Sequence, residues 1–215
     1  MAIHLQGMMT HIVAGSFNVS VAVVRVLALV LAFAGVAAAQ SEPHAAPVSD
    51  VAYVGHESCA MCHKAQFEDW RRSSHARAFE LLKPGQRRAP KRKADLDPSR
   101  DYTSDQDCLR CHTTGYRLPG GFVSVRETPD RVGIGCEMCH GPGKRYREIH
   151  KSRRGSLDRA ELIAAGQRYA SEDASVCVAC HEHEDTPFQP ALDHKYEFDL
   201  AERLKKTRSF HRSYE

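Results

Sequence analysis

The chain has 215 residues, with 27% charged residues and a formal net charge of +3. Aromatics make up only 7%, with a single Trp, which is thin for an ordinary apolar interior. The one basic run, Arg87-Arg88-Ala89-Pro90-Lys91-Arg92-Lys93, has no interleaved aromatics, which argues against nucleic acid as a partner.

The N-terminus reads as an export leader. Val26–Ala39 is apolar, follows Arg25 and ends Ala37-Ala38-Ala39 before Gln40, a small-residue cleavage pattern. The alternative is a retained anchor formed by joining Phe17–Val24. Arg25 would then sit mid-span at a cost of a few kcal/mol. The expected organisation is a cleaved leader over 1–39, a linker over 40–50 and one domain over 51–215. An exported, cysteine-rich chain implies the oxidising side of a membrane, the periplasm, with membrane contact only if the leader is retained.

The first motif follows Val51-Ala52-Tyr53-Val54-Gly55. Cys59-Ala60-Met61-Cys62-His63 reads C-x-x-C-H, and so do Cys108–His112, Cys136–His140 and Cys177–His181. The four sites use all 8 cysteines. The spacing is that of c-type haem attachment. Residues at i, i+3 and i+4 share one face of a helical turn. Two thiols can there form thioethers at the porphyrin edge while the imidazole reaches the iron. Zinc sites do not demand a His after every second Cys, and a disulfide framework explains the even count but not the histidines. The predicted cofactors are therefore four covalently bound haem c groups. They would be held by Cys59, Cys62, His63, Cys108, Cys111, His112, Cys136, Cys139, His140, Cys177, Cys180 and His181. Iron would be ligated by His63, His112, His140 and His181. At 44 residues of mature chain per haem, the haems are expected to form the core.

Between the motifs the pattern is coarse. Ser58–Leu82 has helical spacing through His63, Phe67, Trp70 and Ser74, continued by His75, Ala78, Phe79 and Leu82, until Pro84-Gly85 ends it. His75 lies among Ser73, Ser74 and Ala76, small residues that let a flat ring approach. It is a candidate second ligand for a haem, against an exposed helical histidine. Residues 83–107 read as polar and irregular, the basic run as a solvated loop, and Asp105 as a helix start. Phe122–Val125 reads as strand-like, after a turn rich in glycine, and suggests a short hairpin. Gly133 and Gly135 would let backbone approach a porphyrin face.

Lys144–Arg154 is basic and helical and carries His150. Ten residues beyond His140 on a straight helix, His150 would serve a different haem, or else face solvent. Ser156 is expected to cap an amphipathic helix through Leu162, Ala165 and Tyr169. His183 reads as a surface residue. The tail helix 199–206 is flanked by His194 and His211, either of which can fold back. The fold class is thus mainly α with long irregular loops and a short β-hairpin, a multihaem cytochrome c with a core built of haems.

Four phrases go beyond the motif itself: Tyr53-Val54-Gly55, Ser74-His75-Ala76-Arg77-Ala78, Cys111-His112-Thr113-Thr114-Gly115-Tyr116, and Gly135-Cys136-Glu137-Met138-Cys139-His140-Gly141-Pro142-Gly143. Over residues 51–185 the chain resembles the tetrahaem cytochrome c554 family. The resemblance implies a mainly helical fold with haems in close pairs and electron transfer in the periplasm. It implies redox partner proteins, among them a membrane quinone-linked cytochrome. It makes His75 and His150 distal ligands and gives a third distal place to His211 or His194. It leaves the haem on His112 open. The rival functions are a reductase of nitric oxide or another nitrogen oxide, or a gas-binding cytochrome, each using that open haem. No Lys follows any Cys pair, as it does in multihaem nitrite reductases, and no dedicated catalytic signature is present.

Overall fold

A computed structural model describes residues 50–153 and 155–207. The described part is helical and loop-rich, and it contains no strand among the described residues. In chain order the α-helices are α1 His56–Ala60, α2 Lys64–Arg71, α3 Arg88–Lys93, α4 Gln106–His112, α5 Cys136–His140, α6 Lys144–Ser152, α7 Arg159–Ala164, α8 Ser175–His181 and α9 Leu200–Thr207. Short 3-10 turns cover Ala78–Leu82, Pro129–Arg131 and His194–Tyr196. No described helix is long and apolar enough to cross a membrane.

The expected helix over Ser58–Leu82 is broken twice. His63 leaves helical geometry (φ −110°, ψ 46°) and opens α2. After Arg72 the Ser73 hydroxyl accepts the Ala76 amide at 3.2 Å, a local bond that competes with helix. His75 therefore sits in a turn. The expected hairpin is also absent: Phe122 donates its amide to Thr114 at 2.9 Å, and the nearest thing to a ladder is one isolated bridge, Thr113 to Val132. Residues 83–107 are less irregular than expected, since the basic run forms α3. The cap of α7 is Asp158, which accepts the Ala160 amide at 2.9 Å, and not Ser156. Asp105 does cap α4, through the Asp107 amide at 3.1 Å.

Two small apolar clusters hold these pieces. Phe79, Leu82, Tyr102, Leu109 and Phe122 form one, with Cys108 packed against it. Tyr146, Leu162 and Ala165 form the other, with Ile149. The first gathers the Ala78–Leu82 turn onto α4 and so onto the second motif. The second seats α7 against α6, just beyond the third motif.

Candidate haem sites

Each C-x-x-C-H motif occupies one helical turn. His112, His140 and His181 are the last residues of α4, α5 and α8. The first motif closes its turn at the end of α1, where His63 donates its amide to the Cys59 carbonyl at 2.9 Å. Both thiols and the imidazole thus leave each turn on one side. The cysteines are all free; Cys62 is exposed and the other seven are half-buried.

The motifs meet through their thiols, in an order unlike the chain order. The Cys136 thiol of the third motif lies beside that of Cys59 of the first, and the Cys180 thiol of the fourth beside that of Cys111 of the second. In each couple the two thiols are shifted in opposite directions. Cys111 is lowered to about 7 by the bond to Cys180, while Cys180 is raised. Cys59 is lowered and Cys136 raised in the same way. Burial lifts Cys108 and Cys139 to about 11. The α5 and α8 helices are also in contact, and Cys139 feels the charge of Cys177. Proximity therefore runs first, third, fourth, second.

Polar clamps reinforce both couples. Glu137, inside the third motif, is 1% exposed. Its carboxylate accepts the amides of Val54 (2.9 Å) and Gly55 (2.8 Å) just before the first motif, and of Gly143 (2.6 Å) just after the third. Arg110, inside the second motif, pairs with Asp185 at 2.7 Å beyond the fourth. The same guanidinium lies 3.4 Å from His183 Nε2, so His183 is tied into this clamp rather than standing alone at the surface.

The predicted iron ligands fall in different settings. His112 Nδ1 lies 2.6 Å from the Ala78 carbonyl. As a donor to that oxygen it leaves Nε2 with a free lone pair, the tautomer a metal requires. His75 faces His181, ring centres 6.2 Å apart. At that separation both imidazoles would be within reach of one iron. The pKa values of half-buried His75 and of exposed His181 are both lowered, by desolvation first, which favours the neutral form. His181 is also stacked on Phe198 at 4.7 Å. The turn carrying His75 is pinned from the third motif's approach, where Ile134 donates to the His75 carbonyl at 3.0 Å. The neighbouring Gly133 has φ +78°, and a Cβ there would meet the Ala76 carbonyl at 2.5 Å. Its close approach is thus to the His75 turn.

His150, on α6, has a buried Nε2 with no hydrogen-bond partner. A buried ring nitrogen left without a partner costs free energy unless something absent from the polypeptide occupies it. Helices α5 and α6 are separated by a turn at Gly141 (φ 82°), so the straight-helix spacing between His140 and His150 does not apply. Arg147, one turn before His150, places its charge near Cys59. His63 is exposed, and His140 is half-buried. His194 has a side chain 94% exposed and pairs with Glu197 at 3.1 Å. His211 lies outside the described residues.

The residues present fit covalent haem: four one-turn thiol–thiol–imidazole sets, a His112 whose Nδ1 is held by a carbonyl, a neighbouring His75–His181 pair and an orphaned His150 nitrogen. Sequence reasoning missed Glu137, Arg110 and Trp70, whose indole donates to the Ile134 carbonyl at 2.7 Å. For Glu137 the signal was there: a carboxylate set between glycine-rich segments whose amides lack side-chain cover.

Residues 58–141 match the family model described as cytochrome c554 and c-prime. Cytochrome c-554 of Nitrosomonas europaea is 36% identical over 184 residues, spanning 77% of this chain and 77% of that protein. The solved reduced state of cytochrome c554 from the same organism superposes with a TM-score of 0.65 at 37% identity, covering 73% of this chain and 83% of the other. With that identity over that length, and with the attachment turns in place, the chain belongs to the cytochrome c554 and c-prime family of tetrahaem c-type cytochromes, electron-transfer proteins with covalently bound haem c.

Proposed function

We propose that this protein is a periplasmic tetrahaem electron carrier, exported by a leader over residues 1–39 that is then removed, with a linker over 40–50 and the cytochrome domain over 51–215. The observation that carries the reading is the joining of the four attachment turns into a first–third and a second–fourth couple. Haem c, when bound, supplies one-electron exchange at iron, with a potential tuned by its axial ligands and surroundings.

The polypeptide's part is attachment, spacing and ligation. Cys59 and Cys62, Cys108 and Cys111, Cys136 and Cys139, and Cys177 and Cys180 form the thioethers. His63, His112, His140 and His181 are the proximal ligands. His75 is assigned opposite His181, supported by the 6.2 Å ring separation. His150 is assigned opposite His63, supported by its unpartnered nitrogen and by Arg147's closeness to Cys59. His211 is proposed as the remaining distal ligand in preference to His194, which is paired with Glu197 in water. No distal side chain is assigned to the site of His112. Electrons enter and leave through redox partner proteins, of which a membrane cytochrome linked to quinone is the proposed acceptor.

Low-temperature EPR of the oxidised holoprotein, with carbon monoxide titration after reduction, tests the assignment. One high-spin ferric haem that takes up carbon monoxide, beside three low-spin haems, is expected. Four low-spin haems without uptake would refute the open site. Consumption of nitric oxide by the reduced protein at a catalytic rate would replace the carrier reading with a reductase.

A further inference from the structure

Lys91 is 5% exposed. It comes from the basic run, whose Arg87, Arg88 and Arg92 are in solvent. Its backbone is fixed in α3, where its amide meets the Arg87 carbonyl at 2.9 Å. Its ammonium donates to the Lys83 carbonyl at 3.2 Å and lies 5.0 Å from the centre of the Tyr102 ring. Tyr102 belongs to the apolar cluster packed on Leu109 and Cys108 of the second motif. A lysine held this way has given up water for one carbonyl and one aromatic face, which is costly unless the charge is used.

The other charges around this motif are differently placed. Asp105 pairs with Arg100 at 3.0 Å, and Arg100 covers the same Tyr102 ring at 4.8 Å. Asp107 pairs with Arg110, which also holds Asp185. These partners offset one another and reach solvent. Among the described residues no carboxylate lies within ion-pair distance of Lys91. Asp101 acts on it through charge alone, and that carboxylate is engaged with the Thr103 amide at 2.8 Å. A buried, uncompensated charge acts through low dielectric and is little screened by salt.

We propose that Lys91 is a positioning residue of electrostatic kind, a fixed buried cation that raises the reduction potential of the haem attached at Cys108 and Cys111. The inference rests on the assignment of a haem to that motif. Reduction removes one positive charge from the iron site, so a neighbouring cation favours the reduced form. The second haem is thereby made the better electron acceptor at its end of the first–third–fourth–second series.

The test uses the haem-loaded protein, its haem content per chain, and its midpoint potentials from spectroelectrochemical titration. In Lys91→Gln, one potential is expected to fall, corresponding to a several-fold loss in that haem's reduction equilibrium, with the other three moved less. Lys91→Arg keeps the charge and is expected to hold the potential. Asp101→Asn removes an opposing charge and is expected to raise the same potential. Four haems retained with every potential unchanged in Lys91→Gln would overturn the proposal, as would an equal fall in Lys91→Arg. If Lys91→Gln fails to load four haems, Asp101→Asn decides: a rise supports the proposal and no change overturns it. Fewer than four haems in the unaltered protein would instead sink the haem assignment itself.

Discussion

Glu137 shows how a single side chain organises two sites. It sits between the cysteines of the third motif, yet its hydrogen bonds go to the approach to the first motif and to the Gly141-Pro142-Gly143 exit of the third. Backbone amides in those glycine-rich stretches have no helix or sheet to use, and an ionised carboxylate satisfies three of them with charge-assisted bonds. Glu137→Gln keeps the shape but turns an amide NH2 towards amide donors. The expected loss is about 2–4 kcal/mol. Chemical denaturation of the holoprotein should show the midpoint fall while haem content stays at four. An unchanged midpoint would mean the clamp is not a stability determinant. The histidines divide by the same logic of partnership. His112 has its Nδ1 on a carbonyl, and His150 has a buried Nε2 with no partner in the polypeptide.

At the scale of elements, the helices are short, and three of them end on the histidine of a C-x-x-C-H motif. His112, His140 and His181 are each followed by non-helical backbone, and His63 is itself outside helical geometry. Short helices are marginal alone and depend on tertiary contacts for their stability. The loops therefore have to be placed as carefully as the helices, and the His75 turn is the clearest case. It is held by Ser73 from within and by the Ile134 amide from outside. Gly133→Ala would force a Cβ into the Ala76 carbonyl with φ at +78°. The expected cost is roughly 1–3 kcal/mol, with the strain delivered to the turn that carries His75. Two readouts check this: a lower thermal midpoint, and loss of one low-spin EPR signal in favour of a high-spin one. A lower midpoint with an unaltered spectrum would detach Gly133 from the positioning of His75.

Over the whole molecule, protein-only packing is slight. Nine apolar residues are buried among the described ones, in or beside two clusters that do not reach α8 or α9. The helices bearing the first, third and fourth motifs have no buried apolar residue. The chain expressed without haem attachment is thus expected to lack a cooperative unfolding transition. Circular dichroism across a denaturant series tests it, and a sigmoidal transition matching that of the holoprotein would show that the polypeptide core suffices.

What was legible in the sequence is what depends on local spacing. Cys-x-x-Cys-His puts three groups on one face of a turn wherever it occurs, so the helical turns of the four motifs and the Asp105 cap could be read directly. The helical class follows from the same periodicity, and the phrases around Cys111 and Cys136 pointed to the family. Other features needed the chain folded back on itself. The break at Ser73 is a contest between helix and a local hydroxyl bond, which apolar spacing does not register. Lys91 looks like its solvated neighbours until Tyr102 closes over it. Likewise the couples of first with third motif, and second with fourth, join thiols 77 and 69 positions apart in the chain (136 − 59 and 180 − 111). Periodicity carries no information at such separations. They are decided by long-range bonds from Glu137 and Arg110, which exist only once the loops between the motifs have closed.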